Sequence, residues 1–110
     1  MSKYRATPTQ IDGENYRSKR EAGRHQALLL LQRAGHIAGL VREVPFVLAP
    51  KVKIEGETRA RPALRYVADF VYTTADGRMV IEDAKGFRTP VYRVKKHLMK
   101  TVHNVDVVEV

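Results

Sequence analysis

The first long apolar pattern in the chain lies between residues 18 and 34 and has the spacing of a helix. Ser18 suits the N-cap position, Glu21 follows three residues later as in a capping box, and alanine and leucine side chains supply an apolar face. Gly35 suits the C′ position, where many helices end in a left-handed backbone. The pattern predicts a first helix over residues 18–34.

Three segments in the middle of the chain have the composition of β-strands. Residues 40–48, 64–73 and 78–85 are rich in β-branched and aromatic side chains. Pro45 in the first segment favours an edge position or a bulge, because proline cannot donate a ladder hydrogen bond. The turn formers of residues 75–77 separate the other two segments, which should pair as a hairpin.

The last part of the chain predicts a helix followed by a strand. Thr89 suits an N-cap with Pro90 at N1, and an apolar face at helical spacing follows, with lysines on the outer face. The positions of that face are Val91, Val94, Leu98 and Val102. The valine-rich run of residues 105–110 is typical of a strand laid into the sheet after a helical crossover. The order αβββαβ predicts an α/β fold with a central mixed sheet flanked by helices.

The N-terminal segment, residues 1–17, differs in composition from the rest. It combines basic side chains with the turn formers Thr7-Pro8 and Asp12-Gly13, so we expect a basic arm with a short hairpin around Gln10–Tyr16. Residues 18–110 then form a single domain, which is long enough to bury one core.

The composition of the chain indicates which class of partner and which cellular compartment to expect. The 110 residues include 20 Lys and Arg against 12 Asp and Glu, and this formal net charge of +8 favours a polyanionic partner. The absence of cysteine excludes disulfides and thiolate zinc sites and favours the cytoplasm. No run approaches the roughly 18 consecutive apolar residues of a membrane-spanning helix, so we expect no membrane partner.

Acidic residues interrupt two of the predicted strands. Asp69 lies among residues that favour burial, although strands normally exclude aspartate. In the next strand Asp83 and Lys85 are two residues apart, so their side chains leave the same face of the sheet. Glu82 points to the other face. A buried acid in a strand needs either a partner or a functional role.

The register of the hairpin decides which acid faces Asp69. A three-residue loop over residues 75–77 sets Asp69 against Asp83. A two-residue turn shifts the pairing by one position, and Glu82 then becomes the neighbouring acid. The sequence leaves both registers open.

Directly opposed carboxylates repel each other unless one is protonated or a cation lies between them. Mg²⁺ or Mn²⁺ suits such hard oxygen ligands, and carboxylates that hold a divalent ion beside a substrate phosphate form a phosphoryl-hydrolysis site. The alternative is a structural ion pair of Asp69 or Asp83 with Lys85, without a metal.

Asp69, a hairpin and then Asp83-Ala84-Lys85, within the order αβββαβ, resemble the PD-(D/E)xK superfamily of restriction-endonuclease-like nucleases. The likeness covers residues 18–110. The segments 18–22, 66–70 and 82–86 are similar to small phage-encoded members, among them Holliday-junction-resolvase-like endonucleases. Ala68 stands where the superfamily name has proline, and Asp83 stands where glutamate is more frequent.

The resemblance implies an endonuclease that hydrolyses DNA with Mg²⁺ or Mn²⁺ and leaves 5′-phosphates. It implies metal ligands at Glu21, Asp69, Asp83 and the carbonyl of Ala84, and it makes Lys85 the residue that orients or deprotonates the attacking water. A junction resolvase acts as a homodimer, and a phage-encoded enzyme works in the host cytoplasm.

Basic residues flank the acidic motif on both predicted helices, where they favour contact with backbone phosphates. The predicted nucleic-acid-binding residues are Lys19, Arg20, Arg24, Arg88, Tyr92, Arg93, Lys95 and Lys96. A chain of this size has no separate recognition domain, so we expect selection by DNA shape, as in branches, flaps or junctions. The alternative function is a non-catalytic basic nucleic-acid-binding module.

Overall fold

The computed structural model describes residues 7–110. In that range the elements are β1 (Thr9–Ile11), β2 (Glu14–Tyr16), α1 (Lys19–Arg33), β3 (Ile37–Ala49), β4 (Leu64–Thr74), β5 (Met79–Asp83), α2 (Pro90–His103) and β6 (Val108–Glu109). After the first hairpin the order is αβββαβ, as predicted. Neither of the two described helices is long and apolar enough to cross a membrane.

Both helices begin at the residues that the cap patterns predict, and α1 also ends where Gly35 predicts. The Ser18 hydroxyl accepts a hydrogen bond from the Glu21 amide at 3.1 Å, and α1 ends with Ala34 as its C-cap, just before Gly35. The Thr89 hydroxyl accepts in the same way at the start of α2. These side chains satisfy amides that have no partner within the helix.

Helix α2 buries a different face from the predicted one. Val91, Val94 and Val102 are exposed, whereas Tyr92 and Met99 are buried. The predicted apolar face was therefore wrong for these three valines. Tyr92 and Met99 lie seven residues apart on one side of the helix, and burying these two larger side chains removes more apolar area from water.

The sheet has four strands in the order β3-β4-β5-β6. The first two pairs are antiparallel, and β6 joins β5 in parallel after the α2 crossover, which makes the sheet mixed. Strand β3 lies at the edge, as Pro45 predicts. It begins earlier than expected, at Ile37, because Gly39 with φ +67° accommodates a bulge between Ala38 and Val41.

The β4–β5 hairpin has the three-residue loop. Thr74 and Arg78 close it with a 2.8 Å backbone hydrogen bond, and Gly77 has φ +87°. The ladder pairs Phe70 with Glu82, so the next position along sets Asp69 against Asp83. The two-residue alternative is thereby excluded.

Strand β4 contributes to two hydrophobic clusters. Tyr66 and Ala68 pack in the cluster that contains Tyr92 and Met99 of α2. Phe70 and Tyr72 pack instead with Leu28 of α1. The strand passes from one cluster to the other at Asp69, which explains how an acid comes to be buried in the middle of a strand.

The strand next to the acidic motif is shorter than predicted. Strand β5 stops at Asp83, because the amide of Ala84 donates to the Asp69 side chain at 2.8 Å rather than to a strand. Strand β6 contains only Val108 and Glu109, although residues 105–110 are rich in valine. Val105 and Val107 pack instead in the hydrophobic cluster that contains Tyr92 and Met99 of α2.

The predicted hairpin around Gln10–Tyr16 forms as β1 and β2. Tyr16 is buried and its hydroxyl hydrogen-bonds His25 of α1. The Arg42 guanidinium lies 4.2 Å from the centre of the Tyr16 ring. Residues 9–16 therefore pack on the domain, and residues 1–6 of the predicted arm lie outside the described range.

Candidate active site

Asp69, Asp83 and Lys85 lie together at the end of the β4–β5 hairpin remote from its turn. The two aspartates are buried, with 4% and 2% of their surface exposed. Lys85 Nζ lies 3.4 Å from Asp83 Oδ1 and 4.6 Å from the centre of the Tyr92 ring. With Glu21, these three residues are called the acidic centre below.

Glu82 lies on the other face of β5, as the two-residue period of a strand predicts. Its carboxylate accepts two hydrogen bonds from Arg24 of α1, at 2.8 and 2.6 Å, and a third from the Tyr72 hydroxyl. Every oxygen of this buried carboxylate is engaged. Glu82 thus links β5 to α1 through Arg24, and Asp83 is the acid that lies beside Lys85.

Glu21 uses its two carboxylate oxygens differently. Oε1 accepts a hydrogen bond from the Arg17 amide at 2.9 Å, next to the Ser18 cap. Oε2 is buried and accepts no hydrogen bond from the described residues. The same side chain therefore caps α1 through Oε1 and leaves Oε2 without a hydrogen bond from the described residues.

Arg17 is a site residue whose acidic partners the sequence did not predict. Its Nη2 lies 2.6 Å from Asp69 Oδ1 and 3.7 Å from Glu21 Oε2, so the guanidinium bridges the two acids. The contact with Asp69 joins residues 52 positions apart. No local pattern signals such a pair.

Tyr66 is a second missed residue. Its hydroxyl donates to Asp83 Oδ2 in the interior. Burial and this hydrogen bond raise the pKa of Tyr66 far above its ordinary value, so it stays a donor. A signal was available here, because a buried tyrosine hydroxyl needs a partner. Tyr66 and Lys85 together hold Asp83 from two sides.

The electrostatics of Asp69 reflect the crowding of acids. Burial and the nearby Asp83 carboxylate raise the pKa of Asp69 above its ordinary value, to about 7. The Ala84 amide opposes that rise by hydrogen bonding to the ionised form. Arg17, at 2.6 Å, is the cation that offsets the charge of this carboxylate. Additional positive charge at this point would be favourable.

The donor chemistry of the acidic centre suits a divalent cation. Glu21 Oε2 and Asp83 Oδ1 are buried and accept no hydrogen bond from the described residues, and such oxygens are the ligands that Mg²⁺ and Mn²⁺ prefer. Within residues 7–110, no three acids or histidines are already gathered as a ligand set. Arg17 lies between two of the acids, Glu21 and Asp69.

The predicted nucleic-acid-binding residues lie in three settings. Lys19 and Arg20 are exposed on the first turn of α1, whereas Arg24 is engaged with Glu82. An open cavity of about 330 Å³ lies between α2 and β6. It is lined by basic side chains, namely Arg88, Arg93, Lys96, His97 and Lys100. Lys95 is half-buried beside that group.

Glu109 organises part of this cavity. Its carboxylate lies 2.6 Å from Arg88 Nη2 and 3.1 Å from Lys96 Nζ, and it accepts a hydrogen bond from the buried Tyr92 hydroxyl at 2.8 Å. These contacts, chiefly that of Arg88, lower the pKa of Glu109 to about 2. Tyr92, one of the predicted nucleic-acid-binding residues, is largely buried and lies between the cavity that it lines and Lys85.

Comparisons with known proteins give one family. No curated protein and no solved structure matches the chain significantly. A family model matches residues 1–108, which is nearly the whole length. The chain belongs to the family described as Protein of unknown function (DUF1064).

Proposed function

We propose that the protein is a metal-dependent endonuclease that hydrolyses phosphodiester bonds of DNA. The observation that carries the proposal is the pair of buried, opposed carboxylates, Asp69 and Asp83, with Lys85 3.4 Å from the second. A purely structural pair would satisfy its oxygens, as Glu82 does, whereas Asp83 Oδ1 lacks a hydrogen-bond donor in the described residues.

Each residue of the acidic centre has a role in this proposal. Asp69, Asp83 and Glu21, with the Ala84 carbonyl, are the residues that would hold Mg²⁺ or Mn²⁺. A divalent cation supplies an activated water and offsets charge on a phosphoryl oxygen. Lys85, partly exposed and steadied over the Tyr92 ring, orients that water or stabilises the charge that develops on the phosphate.

The basic surface supports a nucleic-acid substrate. Lys19 and Arg20 lie beside the acidic centre on α1, and the α2–β6 cavity presents Arg88, Arg93 and Lys96. Contacts of this kind fix a duplex by its phosphates and do not read bases. We therefore propose selection by DNA shape, with flaps, branches and four-way junctions as the substrates to test first. A homodimer and a host-cytoplasmic location remain predictions.

One experiment tests the activity directly. Labelled linear, flapped and four-way DNA should be incubated with Mg²⁺ or Mn²⁺, using the native chain, Asp69→Asn and Lys85→Ala. We expect metal-dependent cleavage by the native chain and a loss on the order of 10²-fold or more in each variant. Failure of the native protein to cut any of these substrates with either metal would refute the proposal.

A second candidate function has its own supporting observation. Arg17 pairs with Asp69 and Lys85 with Asp83, so each acid already has a cationic partner without a metal. Under this reading the protein is a non-catalytic module that binds nucleic acid through its basic surface. Its DNA affinity would be the same with Mg²⁺ or with EDTA at matched ionic strength, and no substrate would be cut.

A further inference from the structure

Arg17 occupies a distinctive position beside the acidic centre. Its guanidinium contacts Asp69 Oδ1 at 2.6 Å and Glu21 Oε2 at 3.7 Å, while its amide donates to Glu21 Oε1 at 2.9 Å. Both acids are almost fully buried, but the Arg17 side chain is 67% exposed. The carboxylates are enclosed, whereas most of the cation that bridges them is open to solvent.

The charges around Arg17 explain why a cation is needed here. Asp69 and Glu21 are buried acids, and Glu43 adds a third negative charge that raises the pKa of Arg17 together with them. The ladder places Glu43 opposite Asp69, since Arg42 pairs with Phe70 and Val44 with Ala68. Glu43 also has φ +54°, a strained backbone that non-glycine residues rarely adopt.

We propose that Arg17 is a displaceable counter-ion, which neutralises Asp69 and Glu21 in the metal-free protein and competes with a divalent cation for both carboxylates. This inference rests on the proposed metal site. A guanidinium 2.6 Å from Asp69 Oδ1 repels a second cation at that oxygen, so Arg17 and a metal compete for it. Departure of Arg17 frees that oxygen and leaves Glu21 Oε2 without a neighbouring positive charge.

Competition of this kind links two equilibria. Whatever holds the guanidinium away from Asp69 strengthens metal binding, and metal binding in turn releases the guanidinium. Arg17 is therefore a positioning residue that sets the metal affinity of the site. Arg24 does not have this property, because both of its contacts are with Glu82, which is fully engaged on the other face.

The test measures metal binding itself. Free Mn²⁺ should be titrated by electron paramagnetic resonance in the native chain, Arg17→Gln and Arg20→Gln. Arg20 is the matched control, since it carries the same charge in the first turn of α1 and its side chain donates to the Val110 carbonyl at 3.4 Å. We expect Arg17→Gln to bind Mn²⁺ about tenfold more tightly. Arg20→Gln should change the affinity by about twofold or less.

Two further measurements test whether the change in Mn²⁺ affinity arises from the contact between Arg17 and Asp69. In an Asp69→Asn background, Arg17→Gln should raise the affinity by less than it does in the native chain, because only the longer contact with Glu21 is left to compete. In the native chain, Mg²⁺ should shift the Nε–H resonance of Arg17 and leave that of Arg24 in place, a readout that does not depend on any variant folding. Equal gains in Arg17→Gln and Arg20→Gln, no gain in Arg17→Gln, or an unmoved Arg17 resonance would each overturn the inference.

The outcomes also separate this inference from the proposed function. Absence of Mn²⁺ binding in every variant overturns the inference and removes the metal from the proposed function. Competition as expected, with no cleavage of any DNA, leaves the inference standing and refutes the nuclease. Cleavage by the native chain, with Mn²⁺ affinity unchanged in Arg17→Gln, supports the nuclease and overturns the inference.

Discussion

Glu82 and Asp83 are neighbours in the chain and both are almost fully buried, yet their surroundings differ sharply. Glu82 receives two hydrogen bonds from Arg24 and one from the Tyr72 hydroxyl. Asp83 receives one from the Tyr66 hydroxyl, whereas its Oδ1 lies 3.4 Å from Lys85 Nζ and accepts no hydrogen bond from the described residues. Both oxygens of Glu82 accept hydrogen bonds, whereas one oxygen of Asp83 accepts none from the described residues.

The difference distinguishes an acid that holds two elements together from an acid that keeps an oxygen without a hydrogen-bond donor in the described residues. A buried carboxylate with a full set of donors stabilises the packing of two elements, and removing its partner is costly. A buried carboxylate with a free oxygen beside a second acid stores unfavourable electrostatics, which suits a site that must attract a cation. Four predictions test this distinction.

The largest effect should be seen when each of the two acids is replaced, one at a time, by its amide. Asp83→Asn should lower the rate of metal-dependent DNA cleavage by on the order of 10³-fold and leave the melting temperature unchanged or higher, because a charge that repels Asp69 is lost. Glu82→Gln should keep most of the activity and melt at a lower temperature. Cleavage rates and thermal melts of both variants would expose the reverse pattern.

The Arg24 pair should dominate stability. Arg24→Met leaves Glu82 buried without its cation, so the free energy of unfolding in urea should fall by about 3 kcal/mol. The double variant Arg24→Met/Glu82→Met should recover most of that loss. Lys85→Met is the matched change beside Asp83 and should cost clearly less. An equal loss in Arg24→Met and Lys85→Met would contradict the distinction.

The stability of the metal-free protein should depend on pH through Asp69. Its pKa is raised from 3.8 to about 7 by burial and by Asp83, so the folded state binds a proton more tightly than the unfolded state does. Stability is therefore greatest below about pH 4 for this group and falls as pH rises toward about 7. Melting temperatures measured in EDTA should fall by several degrees over that range.

Asp69→Asn is the control for this pH dependence, because other groups also titrate. His25 has its pKa lowered by burial, which gives a slope of the opposite sign. The difference between native and Asp69→Asn melting curves isolates the Asp69 contribution. Parallel curves across the range would show that Asp69 is ionised throughout, held in that state by Arg17.

The smallest effects should come from the two tyrosines. Tyr66→Phe and Tyr72→Phe each remove one buried hydroxyl donor from a carboxylate, and each should cost about 1 kcal/mol of unfolding free energy. Only Tyr66→Phe should also slow cleavage, because only its partner belongs to the acidic centre. Matched rates in the two variants would mean that the Tyr66 contact is purely structural.

Much of the fold was predictable because its signals are local. The caps at Ser18 and Thr89, the edge position of Pro45 and the order of the elements all follow from short patterns, and the structure confirms them. The buried face of α2 was not predictable from the sequence, because exposed Val91 and buried Tyr92 are both apolar. Which of them packs depends on the shape of the cluster that receives the helix.

The candidate site divides in the same way. The sequence by itself determined that Glu82 and Asp83 lie on opposite faces of β5, because side chains alternate along any strand. Lys85 lies beyond the end of β5, so only the structure shows that its amine lies beside Asp83. Only the tertiary structure decided that Asp69 faces Asp83, that Arg24 neutralises Glu82 and that Arg17 bridges Asp69 and Glu21. Those contacts join distant residues and depend on one loop conformation and on how α1 docks, which no local pattern encodes.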